Sequence, residues 1–476
     1  MKPGRHPLPR RPVPSALVVA ALLLAPLVAI AGNGFNFPAG SRAAAMSGAY
    51  SALADDPATA WWNPAGLGWA ERSSLDLSAS AYHIQFLQIP EFIRTTMPDG
   101  PNSSGLSASP FQVVASSASY VWKIGGWKKE VPDAGDAKTP PAEDLAAPAN
   151  AGLQHSVALS VFIPASQKFS QSAVFDGTGL NGPYHQRFSL AFQEITYCIG
   201  PSWGMRINDK VSVGASLFGV YRTGDGRLTL AVNADVPQDD GSSVPNFYTI
   251  NTDLASTELG FAVQLGVQVH PISGLRLGLA VRLPTLRVWG KTSGSNLETS
   301  SVPSFVDQSV REASSVAFNQ PFSMTLGVAW QQPGKFAIAI DADYTTPWHS
   351  GGTNTRGYFN GRLGVEVFLA PRWILGFGGF TDVAPNPPLG DPPALLDSRM
   401  DYFGGTLGVT YLSPYVVVGS SNTDRITFAT TLGLKYAYGF GKIAGMDVDY
   451  RTGAVTALKD IRSHEVSVLL GSGVRF

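Results

Sequence analysis

Cysteine is almost absent from this chain. Cys198 is the one example among 476 residues, so no internal disulfide can form, and no cysteine follows the N-terminal apolar run to carry a lipid. Charge is sparse as well, at 14% of residues with a formal balance of −1. That gives no basic surface for nucleic acid, which is not an expected partner. Outside residues 16–30 there is no apolar run of roughly 18 residues, which excludes a helical membrane protein. The seven histidines and the lone cysteine have no metal-ligand spacing, and neither GxSxG nor HExxH occurs. Gly177-Thr178-Gly179-Leu180-Asn181-Gly182 fits GxGxxG, but Pro183 follows and no strand–helix context surrounds it. His83 and His464 read as wall residues and not as partners of a nucleophilic serine. No enzyme, cofactor or metal is expected.

What is present begins with an export signal. Lys2, Arg5, Arg10 and Arg11 precede the apolar run, and Ala29-Ile30-Ala31 offers a small-x-small cleavage site, so residues 1–31 read as a cleaved signal peptide. Its removal leaves 30 basic against 35 acidic residues, because the four lost charges are all basic. From about residue 74 to Phe476, short segments carry an apolar residue at every second position. Leu259-Phe261-Val263-Leu265-Val267-Val269 and Val466-Val468-Leu470-Ser472-Val474-Phe476 are clear copies. A period of two means strands with one apolar face.

Fourteen strands are expected, near 74–86, 111–123, 154–164, 187–203, 210–221, 256–269, 275–289, 320–332, 335–345, 358–369, 372–382, 402–412, 425–438 and 463–476. Most are long enough for a tilted crossing of about 9–11 residues. The connections alternate: 205–209, 270–274, 331–334 and 370–371 are short, whereas 222–255, 290–319, 383–401 and 439–462 are long. Trp122, Trp203, Trp289, Trp330 and Trp373 fall at strand ends, where amphipathic rings favour a membrane interface. A soluble β-sandwich also alternates, but its strands are usually shorter and need no girdle. The expected fold is therefore all-β: a transmembrane antiparallel barrel over 74–476, in the outer membrane of a Gram-negative bacterium and in contact with its lipid. Residues 124–153, charged and rich in Pro and Ala, interrupt the pattern of short turns. They read as a flexible periplasmic insertion, a spacer or a docking point for a periplasmic or secreted protein.

Strand parity places Arg276, Arg282, Asp341, Asp343, Arg362, Glu366, Arg425, Lys435 and Glu465 on the inward face. Five positive and four negative charges suit ion pairs across a filled interior, and a ligand carboxylate paired with one of the cations is the alternative use. Two irregularities stand out. Phe188-Leu190-Phe192 changes phase to Ile195-Tyr197-Ile199, which predicts a bulge at Gln193-Glu194. Pro164 ends the third strand and removes a ladder hydrogen bond.

Residues 32–73, ahead of the first strand, read as a compact plug. Arg42 to Tyr50 carry small residues at helical spacing, Asp55-Asp56-Pro57 is a helix-start signal, and Asn63-Pro64-Ala65-Gly66 reads as a turn into a short helix. Asp55 and Asp56 are expected to hold a helix start or to pair with lumen arginines such as Arg362. The run Ser41-Arg42, Gly48-Ala49-Tyr50, Ala54-Asp55-Asp56-Pro57 and Trp62-Asn63-Pro64-Ala65-Gly66 resembles the N-terminal hatch of the FadL/TodX family of outer-membrane channels for long-chain fatty acids and other hydrophobic compounds. The resemblance implies diffusion without an energy source, a hatch shift that involves Asn63, Pro64, Ala65, Asp55 and Asp56, and lateral exit through the wall, with Pro164 the counterpart of the kinked third strand. The same segment is similar to that of PorV-like barrels, which implies instead a partner role in secretion or in anchoring surface proteins.

Overall fold

The computed structural model describes residues 38–97, 100–124, 154–179, 182–237, 243–300, 306–314, 317–318, 320–350, 353–393, 397–414, 416–417, 425–449 and 453–476. The expected signal peptide, residues 32–37 of the expected hatch and all but the first residue of the 124–153 insertion lie outside them. In chain order the strands are β1 (Ser74–Met97), β2 (Gly100–Ala108), β3 (Phe111–Ile124), β4 (Gln154–Gly179), β5 (Gly182–Arg206), β6 (Val211–Pro237) and β7 (Ser243–Ile272). There follow β8 (Leu275–Arg282), β9 (Leu286–Ser300), β10 (Val306–Ser314), β11 (Ala317–Phe318), β12 (Ser323–Gln332), β13 (Phe336–Thr345), β14 (Trp348–Ser350) and β15 (Thr353–Thr355). The last are β16 (Tyr358–Ala370), β17 (Trp373–Asp382), β18 (Ser398–Leu412), β19 (Val416–Val417), β20 (Arg425–Asp449) and β21 (Gly453–Arg475).

Antiparallel pairing runs from β1 through β3 to β7, on through β8 with β9, then β10 to β12, then β13, β16, β17, β18, β20 and β21. The ring closes where β21 returns to β1, from Ser74↔Arg475 to Gln88↔Arg462. The barrel has fifteen strands, not the fourteen expected. That count includes β2, which lies off the closed ring and hairpins onto β1 from Leu87↔Ala108 to Met97↔Gly100. A run of small and polar residues, Gly100 to Ala108, conceals it in the sequence. The hairpin crosses the interior, because Phe92 of β1 packs on Phe188 of β5 at 5.4 Å.

The wall is inverted relative to a soluble protein. Leu259, Phe261 and Leu265 are 43, 47 and 45% exposed, while their neighbours Ala262 and Gln264 are buried. The five tryptophans named above are likewise exposed on the outer face. Two sequence expectations need correction. Segments 222–255, 290–319 and 439–462 are not long loops: β6 and β7 run on to Pro237 and from Ser243, β9 runs to Ser300 with β10 at Val306–Ser314, and β20 and β21 run to Asp449 and from Gly453. Nor is there a bulge at Gln193-Glu194, since β5 keeps unbroken register with β6 from Tyr184↔Ala234 to Ile199↔Gly219. Even-numbered residues of β5 face inward throughout: Phe188, Leu190 and Phe192, then Thr196, Cys198 and Ser202. The phase of hydrophobicity changes because the surroundings change. In the membrane the apolar face points out to lipid; beyond it the apolar face turns in.

Candidate functional site

Residues 38–73 fill the lower lumen with little regular structure: a helix at Ser41–Ala45, another at Thr59–Trp62 and a 3-10 helix at Pro64–Trp69. So short a set of helices leaves many backbone groups without partners, and the wall supplies them. Ser119 and Ser216 donate to the carbonyls of Pro57 and Ala60 at 2.9 and 2.8 Å. Gln268 donates to Ser51 O and Ala54 O at 3.1 and 3.0 Å, and Gln264 to Trp61 O at 2.9 Å. Glycines in adjacent register, Gly204↔Gly214↔Gly266, let the hatch backbone touch the wall. A Cβ on Gly214 would lie 2.3 Å from Pro64 O, and one on Gly266 2.1 Å from Asn63 Oδ1.

Three anchors hold the segment. Asn63 is fully buried in an extended conformation and caps the 3-10 helix: its Oδ1 accepts from Ala65 N–H at 3.2 Å. Its Nδ2 donates to Ser51 O at 2.8 Å and to Val267 O of β7 at 3.1 Å. Pro64 follows at the first helical position, where its missing N–H costs nothing. Asp341 of β13 is the second anchor. Its Oδ2 accepts from the N–H groups of Tyr50 and Ser51, and its Oδ1 from Ser51 Oγ, all at 2.9 Å.

The third anchor is ionic. Arg42 Nη2 lies 2.7 Å from Glu366 Oε2, and its Nη1 2.8 Å from Asp55 Oδ1, while Arg276 approaches Asp55 Oδ2 at 3.6 Å. Asp55 therefore pairs with Arg42 and Arg276 and not with Arg362, which is taken by Asp343 at 2.8 Å. Neither aspartate caps the helix directly; Asp56 Oδ1 accepts from Ala58 N–H at 2.9 Å and shapes the turn before it. Burial pushes the Asp55 carboxyl up, but Arg42 and Arg276 outweigh it and hold it below the usual carboxylate range. Burial and the neighbouring Asp55 raise Asp56 above that range.

Of the remaining lumen charges, Lys435 and Glu465 lie 3.8 Å apart and both are buried. Arg282 donates to Gln264 Oε1 at 3.0 Å and covers the Trp61 ring at 4.1 Å. Arg425 opens β20, and its side chain lies outside the described residues. Sequence reading missed Arg42, Trp61 and the glycine band. The inward parity of glycines on consecutive strands was the available signal for that band.

The wall is broken beside the hatch. The β3–β4 ladder runs from Ile124↔His155 to Ser117↔Phe162 and stops there. The β4–β5 register slips between Phe162 and Ala165, where Pro164 offers no N–H. A hydrogen bond from Ser166 Oγ to Gln112 Oε1 at 3.3 Å spans the interruption. Inside it, Trp61 packs on Phe162 and Phe218 at 5.4 and 6.0 Å. Further out, a cavity of about 760 Å³ is lined by Phe169, Phe192 and Leu254 together with charged Lys168, Asp225, Arg227 and Asp253, with the Phe169 and Phe192 rings stacked at 5.7 Å.

No protein-family model matches the sequence, and no curated protein matches it. Solved structures do. A Pseudomonas aeruginosa FadL homologue superposes with a TM-score of 0.56 at 13% identity, over 94% of this chain and 100% of that one. The chain has the FadL-type fold. CymD, a monoaromatic hydrocarbon channel, matches at 0.51 with 15% identity over 93% and 99% of the two chains. The P. putida toluene transporter TodX matches at 0.50 with 14% identity over 92% and 98%.

Proposed function

We propose that the protein is an outer-membrane channel for the passive uptake of hydrophobic compounds such as long-chain fatty acids, gated by the hatch. The observation that carries this reading is the position of the wall break. The lumen floor is filled by a segment held through Asn63, Asp341 and the Arg42 network. Straight passage is thereby blocked, and the interruption of strand pairing at Pro164, next to the Trp61–Phe162 cluster, supports a sideways route into the bilayer. A hydrophobic solute gains by leaving sideways into lipid instead of crossing water. The inward-facing phenylalanines beyond the membrane give it a collecting surface, and no energy source or cofactor enters the scheme. Ligand in the lumen shifts the hatch by binding better to its displaced state.

Uptake of radiolabelled hexadecanoate by cells with and without the gene tests the reading. Slower uptake in the deletion strain supports it. Unchanged uptake together with loss or mislocalisation of surface proteins supports the secretion-partner role instead.

A further inference from the structure

The hatch closes the lumen at the end where Ser74 of β1 meets Arg475 of β21, beside the short turns at 207–210, 273–274 and 333–335. The opposite end carries the long strand extensions and so faces the outside, since such barrels keep their short turns in the periplasm. There β1 and β2 leave the wall. β1 keeps register with β21 as far as Gln88↔Arg462 and no further. Its register with β2 slips between Ile89 and Ile93, around Pro90 and Glu91. A bulge re-aims a strand, and beyond this one the hairpin crosses the lumen until Phe92 meets Phe188 of β5 at 5.4 Å. Its far end reaches β20, where Ile93 to Thr96 pair in parallel with Met446 to Asp449. A Cβ on Gly445 would lie 2.3 Å from Phe92 O, so backbone rests on backbone there.

The hairpin has two unlike faces. Leu87, Ile89, Phe92 and Leu106 are buried, in one apolar cluster that also holds Ile443 of β20 and Leu53 of the hatch. Gln88, Glu91, Arg94 and Ser107 are exposed. An apolar underside and a polar top suit a cover set between an apolar lumen and water. The attachment is lighter than that of the wall. A strand of the closed ring has a partner on each side, whereas among the described residues β2 pairs with β1 alone. Beyond the bulge, β1 has only four register pairs outside its own hairpin. A segment held so lightly opens at lower free energy than the structure around it. We infer that the β1–β2 hairpin is an outer lid, which closes the barrel mouth, turns about the Ile89–Ile93 irregularity and lifts before a solute from outside reaches the wall break. This rests on the channel reading and adds a second gate to it, at the end opposite the hatch. The ring stays closed as the lid lifts, because none of its ladders runs through β2.

Tethering the lid in the full protein tests the inference in cells. Ile93 and Met446 are register partners on neighbouring strands, about 5 Å apart and so within disulfide reach. Ile93→Cys with Met446→Cys is the first pair. Arg94→Cys with Asp447→Cys, the next partners along, spares the buried Ile93 and repeats the test independently of how the first pair folds. Single-cysteine variants control for the native Cys198, which is buried on β5. Hexadecanoate uptake is measured after mild oxidation and again after dithiothreitol, with the cross-link read by mass spectrometry. The link should form in the resting protein, and uptake should then fall about tenfold, because a lid that cannot open admits only what unlinked copies pass. Reduction should restore it, and the single-cysteine variants should follow the parent. A linked protein that transports as well as its reduced form overturns the lid while leaving the channel intact. Failure of both pairs to link overturns it too, since the hairpin then does not rest on β20. No uptake by the parent overturns the channel reading and this inference together.

Discussion

Replacing Asn63 by alanine tests whether the hatch turn is a working part of the gate. The side chain makes three hydrogen bonds: it accepts from Ala65 N–H and donates to Ser51 O and to Val267 O across the hatch–wall contact. Two are buried and the Val267 bond is part-buried, so water does not replace them freely. At about 1 kcal/mol net for each bond, the substitution costs about 3 kcal/mol. Only the Val267 bond is made by the seated hatch alone, so about 1 kcal/mol of the loss falls on that state. At about 1.4 kcal/mol per tenfold, the population of unseated hatch should rise roughly fivefold. Single-channel conductance in planar bilayers and hexadecanoate uptake at matched membrane abundance read the change. Retained heat-modifiability on gels verifies that the barrel persists, as it should, because the strands pair without the hatch. Conductance and uptake equal to the parent's would refute the reasoning and leave the Asn-Pro-Ala turn a capping feature with no part in gating.

Further expectations follow from the same contacts. Asp341→Ala removes three bonds to a carboxylate and should raise conductance above Asn63→Ala, since charge-assisted bonds are the stronger. Gly214→Ala places a Cβ 2.3 Å from Pro64 O; the hatch should seat poorly at a cost of about 1–3 kcal/mol, seen as leak through a normally inserted barrel. Asp55 and Asp56 should respond with opposite signs. Asp55 is depressed in the folded state by Arg42 and Arg276 against its burial, so its hold is present at neutral pH and is lost as pH falls through its folded value. Asp56 is raised by burial and by Asp55, so it weakens the hatch at neutral pH and ceases to do so on acidification. Asp55→Asn should therefore lower, and Asp56→Asn raise, amide-exchange protection of residues 41–62 at pH 7. Pro164→Ala restores an N–H at the wall break and should slow uptake severalfold without changing conductance.

The barrel was legible because lipid enforces a strict period of two: Leu259, Phe261 and Leu265 face out wherever the wall meets the membrane. The same rule failed at Phe188, Leu190 and Phe192, where it pointed to a bulge. Beyond the membrane, water lies outside and apolar side chains turn inward, so a change of medium mimics a change of register. That inversion also hid the outer halves of β4 to β7, which read as loops, and β2, whose small and polar residues have no apolar face. In the hatch, Asn63 and Pro64 announced a turn because their local chemistry is self-contained. The partners of Asp55 were not readable: Arg42 and Arg276 reach it only through tertiary contacts, and spacing along the chain says nothing of which arginine arrives.

Hexadecanoate uptake measured against surface-protein content, in one deletion strain and its complemented parent, tests the channel most directly. The account predicts slower uptake in the deletion strain, restored on complementation, with surface proteins unchanged. Normal uptake with surface proteins lost or mislocalised would contradict it.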